Sequence, residues 1–488
     1  MRVDVRPTKK LRGDKPMNLT EALGPIIDAL CADSVDLSRL RVVCDWIQYR
    51  NNFRDVVDLR QILPPTGTRS TGDLEVAVDL RRCGEEALAA QVADMLREFN
   101  DPASSGRHYL EDWTATSASR IWDFNALYWR ELGIWEESTG QQYEQALPGG
   151  QSDARNAKAA RDLIGELFQV WDSLAERNSL PDELYVVELG VGNGIQAKTW
   201  LDEFVAMDRA LGRDYYRRLH YLMCDYSEHV LALARANVAD HIQHVSSFAL
   251  DATAPTTALG FLRYKVFLAY ISNVYDNLPT DEVARIGDHT YYTQARAYLA
   301  DQDARRIAAG LDVDPTAVTV LADKLLRLGP NLLTEVHPAQ FPDVESAAGF
   351  WRQVWGALRL EERYVPLRGL DLYQVAPGVS GEMLRPFLEQ DGDIRMHVSN
   401  GALASFADTL PILHPYGRLQ CHDLFVTETQ QYGNGFRGPG KYDGSIVNWV
   451  NGPLLQHLGS RKGFDVRFAP FAHRPGTNIL TLTAQVRD

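Results

Sequence analysis

Cysteine is scarce in this chain and nowhere forms a metal-type or redox-type pair. The five residues, Cys31, Cys44, Cys83, Cys224 and Cys421, are widely spaced and include no Cys-x-x-Cys. That argues against a disulfide framework and a structural zinc site, and no metal is expected. Long apolar runs are also missing, since no stretch reaches the roughly 18 residues of a membrane span. Positive charge is in deficit: 50 Lys and Arg stand against 65 Asp and Glu, a formal net charge of −15. Phosphate backbones and anionic bilayers both call for clustered cations, so neither nucleic acid nor membrane is an expected partner. The opening MRVDVRPTKKLRGDKP is basic but lacks the apolar stretch of a signal peptide, and the expectation is a cytoplasmic protein.

What is present is an ordinary globular composition, with 45% hydrophobic and 24% charged residues over 488 positions. That length supports two or three domains. Residues 1–17 read as a disordered basic tail and 18–118 as a helical N-terminal domain. LTEALGPIIDALCA and GEEALAAQVADMLREF there carry apolar residues at three- and four-residue spacing. Residues 119–183 read as an aromatic-rich cap followed by a connecting helix. Trp122, Tyr128, Trp129 and Trp135 in that cap suit either a packing face or a cage for a cation. From residue 184 strands and helices alternate: LYVVEL, LHYLMCD, HVSSFALD and KVFLAYIS read as strands, with helices between the first three. A helical insertion is expected near 281–328, then a fifth strand at NLLTEVH, with RLQCHDLFV and NILTLTAQV completing the sheet. Such alternation predicts an α/β fold with a mostly parallel, Rossmann-like sheet.

The chemistry concentrates where the first strand ends. Glu188-Leu189-Gly190-Val191-Gly192-Asn193-Gly194 runs from a buried strand into a helix, with glycine at alternate positions. Glycine lets the backbone turn tightly and leaves no Cβ in the way of a ligand. The spacing is G-x-G-x-G; Ile195 breaks the G-x-G-x-x-G of dinucleotide folds. The second strand ends in Asp225, placed to accept from ribose hydroxyls, and the third in Asp251, placed near an adenine amino group.

These residues resemble the first three motifs of the Rossmann-like, S-adenosylmethionine-dependent methyltransferases. The resemblance implies that Glu188, Gly190, Gly192 and Gly194 hold the methionine end, Asp225 the ribose and Asp251 the adenine. Ile271-Ser272-Asn273-Val274-Tyr275-Asp276-Asn277-Leu278-Pro279 resembles the N-E-F-F-D-A-L-P segment of the MidA family, whose mitochondrial members methylate an arginine of a complex I subunit. Two other stretches are similar to MidA segments, Glu136–Tyr143 and Gly438–Val450. Asn273 stands where that family has Glu, which removes a carboxylate that a guanidinium would need.

The expected function is therefore methyl transfer to a nitrogen or oxygen of a peptide, protein or bulky small-molecule acceptor. Asn273 and Asp276 are the candidate acceptor-side residues, and His337, in TEVHP, is the candidate base. Asp276 also suits a helix N-cap. The loop Gln431–Asp443 is a candidate lid. A homodimer is compatible with the chain. Two rivals stand beside this reading. One is a non-catalytic scaffold or assembly factor on the same fold; the other is a nicotinamide-dependent oxidoreductase.

Overall fold

The computed structural model describes residues 2–5, 19–32, 40–44, 52–61, 74–78, 85–100, 106–143, 156–390, 394–434, 439–473 and 476–487. At its centre lies a seven-stranded sheet, whose strands we number β1 (Leu184–Leu189), β2 (Leu219–Asp225), β3 (Val245–Ala249), β4 (Val266–Ser272), β5 (Leu413–Asp423), β6 (Phe464–Pro470) and β7 (Leu480–Val486). Their order is 3-2-1-4-5-7-6. β7 pairs antiparallel with both β5 and β6, and the other neighbours pair in parallel.

β1 and β4 are buried along almost their whole length because helices cover both faces of the sheet. Val186 points into a cluster with Phe168, Trp171 and Phe204 from the helices Ala157–Glu176 and Ile195–Ala210. Val187 and Leu189 point the other way, into a cluster with Ile271, Cys421 and Phe406. Cys224 and Cys421 are buried free thiols in this packing. The Rossmann-like, mostly parallel sheet expected from the strand–helix alternation is therefore present.

The insertion departs from expectation. Glu282–Ile286 and His289–Leu299, inside the stretch expected to be helical, are strands of a second, antiparallel sheet. Alternation decides this: Tyr291, Thr293 and Ala295 are buried while Thr290, Tyr292, Gln294 and Arg296 between and beside them are only half-buried, the period of two of a half-buried strand. Helices Asp301–Leu311, Pro315–Val336 and Val344–Ala357 follow. NLLTEVH belongs to the second of them, beyond a kink at Gly329-Pro330, and is not a strand; the fifth strand is β5. Short apolar runs do not distinguish a buried helix from a buried strand.

The N-terminal part also differs. Its two expected helices form, at Leu19–Ala32 and Glu85–Asn100. They accompany a four-stranded sheet of Arg2–Val5, Leu40–Cys44, Leu74–Val78 and Val57–Gln61, so this part is mixed α/β, and Arg2–Val5 of the expected tail is a strand. Residues 6–17 of that tail lie outside the described residues. Among the described residues no helix is long and apolar enough to cross a membrane.

The aromatic segment is a packing core. Trp122, Tyr128 and Trp135 are buried, Tyr128 and Trp135 stack edge-on at 5.4 Å, and Trp135 meets Trp351 at 4.7 Å. Asp443 ties this core to the C-terminal region, accepting from Tyr128 Oη at 3.0 Å and Trp135 Nε1 at 3.1 Å. Residues 435–438 of the expected lid lie outside the described residues, but its far end is anchored. Lys441 is buried and donates from Nζ to the carbonyls of Trp355 (2.6 Å), Gly356 (3.3 Å) and Leu358 (2.7 Å), closing the C-terminus of helix Val344–Ala357. Lys441→Met keeps the chain but deletes the donor. It should lower unfolding stability by roughly 3 kcal/mol, about one per carbonyl stranded. Urea titration checks this; an unchanged midpoint would mean that water takes over the capping.

Candidate functional site

Past Leu189 the chain turns through Gly190, Gly192 and Gly194 at φ 77°, 58° and 78°. These left-handed values favour glycine, and contacts add to the constraint. A Cβ on Gly190 would lie 2.3 Å from Val274 Cγ2, and one on Gly194 would lie 2.6 Å from the Cα of Ala234. The turn is fixed to β2 by backbone N–H groups: Gly190 and Val191 donate to the Cys224 carbonyl at 2.8 and 3.1 Å. Gly192 donates to Asp225 Oδ2 at 3.1 Å, and Ser227 donates its N–H to the other carboxylate oxygen at 3.1 Å. Burial pushes Asp225 up to about 6 against these hydrogen bonds. Ser227 also caps the next helix, its Oγ accepting from Val230 N–H at 3.3 Å. The glycine turn, Asp225 and Asn273 thus share the carboxyl edge of the adjacent strands β2, β1 and β4, the edge at which open α/β sheets bind ligands.

Glu188 is placed otherwise than at the ligand edge. It is only 2% exposed, points to the face that carries helix Ile195–Ala210, and accepts a 2.6 Å hydrogen bond from Tyr221 Oη. Tyr221 went unnoticed in the sequence because it meets Glu188 diagonally across the β1–β2 register rather than through any motif. Asp251 is exposed just beyond β3, its Oδ1 closing a local turn on Thr253 N and Oγ1, both at 2.8 Å.

The β4 end is built around a pair of carboxyls. Asp423, fully buried at the end of β5, accepts at Oδ2 from the N–H groups of Val274 (3.2 Å), Tyr275 (2.8 Å) and Asp276 (3.3 Å). Its Oδ1 accepts from Leu424 N–H at 2.8 Å. With every lone-pair direction facing a donor, Asp423 holds the negative charge. The Asp276 carboxyl hydrogen-bonds to it, and burial together with that neighbouring charge holds Asp276 well above the usual carboxylate range. Asp276 therefore carries the shared proton, is 6% exposed, and caps no helix; it sits within a short 3₁₀ turn, Tyr275–Asn277. Asn273, before it, has φ 52° and donates its backbone N–H to the His422 carbonyl at 2.9 Å, while its half-buried side chain has no hydrogen-bond partner among the described residues.

His337 is not brought to this edge. It caps the helix Pro315–Val336, with Nε2 2.8 Å from Lys324 Nζ, and among the described residues no hydrogen bond joins it to a strand end. Asn125, overlooked in the aromatic segment, is part of the edge instead. Its Nδ2 donates to the Asn277 carbonyl and its Oδ1 accepts from Ile446 N–H, both at 2.8 Å, clasping the β4 turn to the cap. Among the described residues no group of three or more His, Cys, Asp or Glu is placed to hold a metal.

No family model matches the chain, and no curated protein matches it. Among solved structures, two, both of COG1565 superfamily members from Burkholderia thailandensis, are similar at 14% identity over 83% of this chain and 94% of theirs, with TM-scores of 0.43 and 0.45; the second is bound to S-adenosyl-homocysteine. The CcbJ methyltransferase from Streptomyces caelestis is similar at 9% identity over 75% of this chain and 99% of its own, with a TM-score of 0.33. Likenesses this remote assign no residue a role.

Burial lifts Glu188 from its ordinary 4.5 to about 8. A raised carboxyl pKa gives stability that is complete below the unfolded value and lost as pH rises through the folded one. Glu188→Gln keeps an acceptor for Tyr221 and removes the ionisation. At roughly 1.4 kcal/mol per unit, the variant should gain on the order of a few kcal/mol over wild type at pH 9 and nothing at pH 4. Melting temperatures across that range check this, and parallel curves for the two proteins would show that Glu188 does not titrate in the fold.

Proposed function

We propose that this chain binds S-adenosylmethionine over the 190–194 turn and transfers its methyl group to a nitrogen or oxygen of a peptide, a protein side chain or a bulky small molecule. The observation that carries the reading is the left-handed glycine turn tied to the Asp225 carboxylate at the carboxyl edge of the sheet. The dinucleotide arrangement is a parallel 3-2-1-4-5-6 sheet with G-x-G-x-x-G. A reversed β7 and G-x-G-x-G spacing both depart from it and disfavour the nicotinamide rival.

The residues present suit the cofactor. At the three glycines a Cβ would run into Val274, the Tyr143 hydroxyl and Ala234, so only glycine lets the turn lie this tightly, and Asp225 offers acceptor oxygens for ribose hydroxyls. Gly190, Gly192 and Gly194 would receive the methionine end and Asp251 would lie toward the adenine. Glu188, buried with Tyr221, would support the turn from beneath. When bound, the cofactor supplies a methyl group on a sulfonium, which a nucleophile held in line displaces.

The acceptor side favours a neutral nucleophile. Asp276 is committed to Asp423, so the segment that resembles the MidA motif has no free carboxylate to fork onto a guanidinium. Asn273 can orient an amine, hydroxyl or amide through either amide atom. An amine that arrives unprotonated needs no base, and His337 has no part in this scheme.

Calorimetric titration with S-adenosyl-homocysteine tests the cofactor assignment. Wild type should bind with micromolar affinity, and Asp225→Ala should bind more weakly by about 1–3 kcal/mol, the loss of hydrogen bonds to a charged group. Equal affinities would remove Asp225 from the site, and no binding in wild type would favour the non-catalytic scaffold. Asn273→Ala should retain cofactor affinity and lose turnover on whichever amine or hydroxyl acceptor wild type methylates; full turnover would place the acceptor elsewhere.

A further inference from the structure

A cleft of about 350 Å³ opens on the helix-covered face of the sheet, between helix Ala157–Glu176 and strands β4, β5 and β7. That volume is at the low end for small-molecule sites, roughly 300–1,000 Å³. Its floor is polar where a covered sheet face is ordinarily apolar. Arg418, Gln420 and His422 alternate along β5 and so share one face; Gln420 lies opposite Thr483 and His422 opposite Thr481 on β7. Their neighbours Leu419, Cys421 and Leu482 go to the apolar core on the opposite face. The period of two that builds that core therefore also delivers a row of hydrogen-bonding groups to the cleft.

The charge in the cleft is unevenly placed. The Arg418 side chain is only 12% exposed, and its ion-pair partner Glu166 is 55% exposed at the rim. Among the described residues Arg418 Nε is buried without a hydrogen-bond partner, as is Oε1 of Gln196 on the cleft wall. Burial pulls the guanidinium below its ordinary range, with Glu166 offsetting only part of the effect. The other acid, Asp162, stands 3.5 Å from His473, and His422 is held neutral, pulled down to about 4 chiefly by burial. His422 hydrogen-bonds through Nδ1 with Thr481 Oγ1 at 2.9 Å and through Nε2 with Gln420 at 3.2 Å, which keeps its ring fixed.

We propose that this cleft is a second ligand site, which takes a small carboxylate or phosphate oxyanion on the Arg418 guanidinium, with the Thr481 and Thr483 hydroxyls lining its bed. A guanidinium presents a planar fork that matches such an oxyanion bidentately. Glu166 is the resident counter-ion and the competitor. When the oxyanion enters, the Glu166 carboxylate moves out to water, and the buried charge is never left unpaired. Gln196 on the wall follows the glycine turn by two residues, but no residue of 190–194 lines the cleft, and the proposal does not rest on the cofactor reading.

The test is calorimetric titration of the full chain with sodium phosphate and, separately, with malonate, chloride holding ionic strength constant. At least one anion should bind saturably in the millimolar range or tighter, and the arm that saturates identifies the chemistry. Arg418→Gln should weaken it at least tenfold. Glu166→Gln, at an exposed position that leaves the fold intact, should strengthen it several-fold by removing the competitor. S-adenosyl-homocysteine should leave the anion affinity unchanged. The proposal is overturned if neither anion saturates in wild type or Glu166→Gln, if Glu166→Gln weakens binding, if Arg418→Gln binds as well as wild type, or if S-adenosyl-homocysteine competes.

Discussion

The buried carboxylate of Asp423 gathers four backbone N–H groups, three from the turn after β4 and one from its own successor, and holds the Asp276 proton besides. An isolated charge at that depth would be strongly unfavourable; hydrogen bonds from every side make it tolerable. In return it sets the path of residues 274–276 and with it the direction in which Asn273 leaves the sheet. The Asp276 carbonyl passes the constraint on, accepting from Asn448 N–H at 2.8 Å. The end of β4, the end of β5 and the residue that follows strand Ser445–Val447 are in this way joined through one ionised side chain. Removing its charge would loosen all three together.

Around this knot the cap is assembled from segments distant in sequence. Asn125 reaches both the β4 turn and Ile446, and Asp443 gathers Tyr128, Trp135 and the indole of Trp355, which donates to its carbonyl at 2.8 Å. Helix 120–130, the insertion and the region after residue 440 therefore share one aromatic core, separate from the two cores that sandwich the large sheet. The arrangement leaves the carboxyl edge of the sheet as the meeting place of rigid parts. Such a place can hold two reactants at fixed separation.

The features legible from the amino-acid order were those that chain-local chemistry imposes. A buried strand running into Gly190, Gly192 and Gly194 can do little but turn, and Asp225 follows from where the next apolar run stops. The illegible features depended on partners. Asp276 read as a site residue or a cap until Asp423 claimed its proton, and Glu188 read as a ligand-facing acid until Tyr221 and the register turned it inward. His337 followed an apolar run, NLLTEVH, whose pattern suits a buried helix as well as a strand. HTYYTQARAYL, read as helical, carries the alternation of a strand, and the short runs LRVVC and LEVAV near the start were too brief for a periodicity to settle.

The large sheet is also ordered in time. β4 pairs with β5, yet the whole antiparallel insertion and its helices lie between them in the chain. During synthesis one edge of β4 stays without its neighbour until residues beyond 413 emerge, and β5 in turn awaits β7, made last of all. The strands at 282–286 and 289–299 are consecutive and close by a short hairpin, so the insertion can reach its own sheet first. The nascent protein therefore passes through a stage with β1 to β4 exposing an unpaired strand edge, an aggregation hazard of its own.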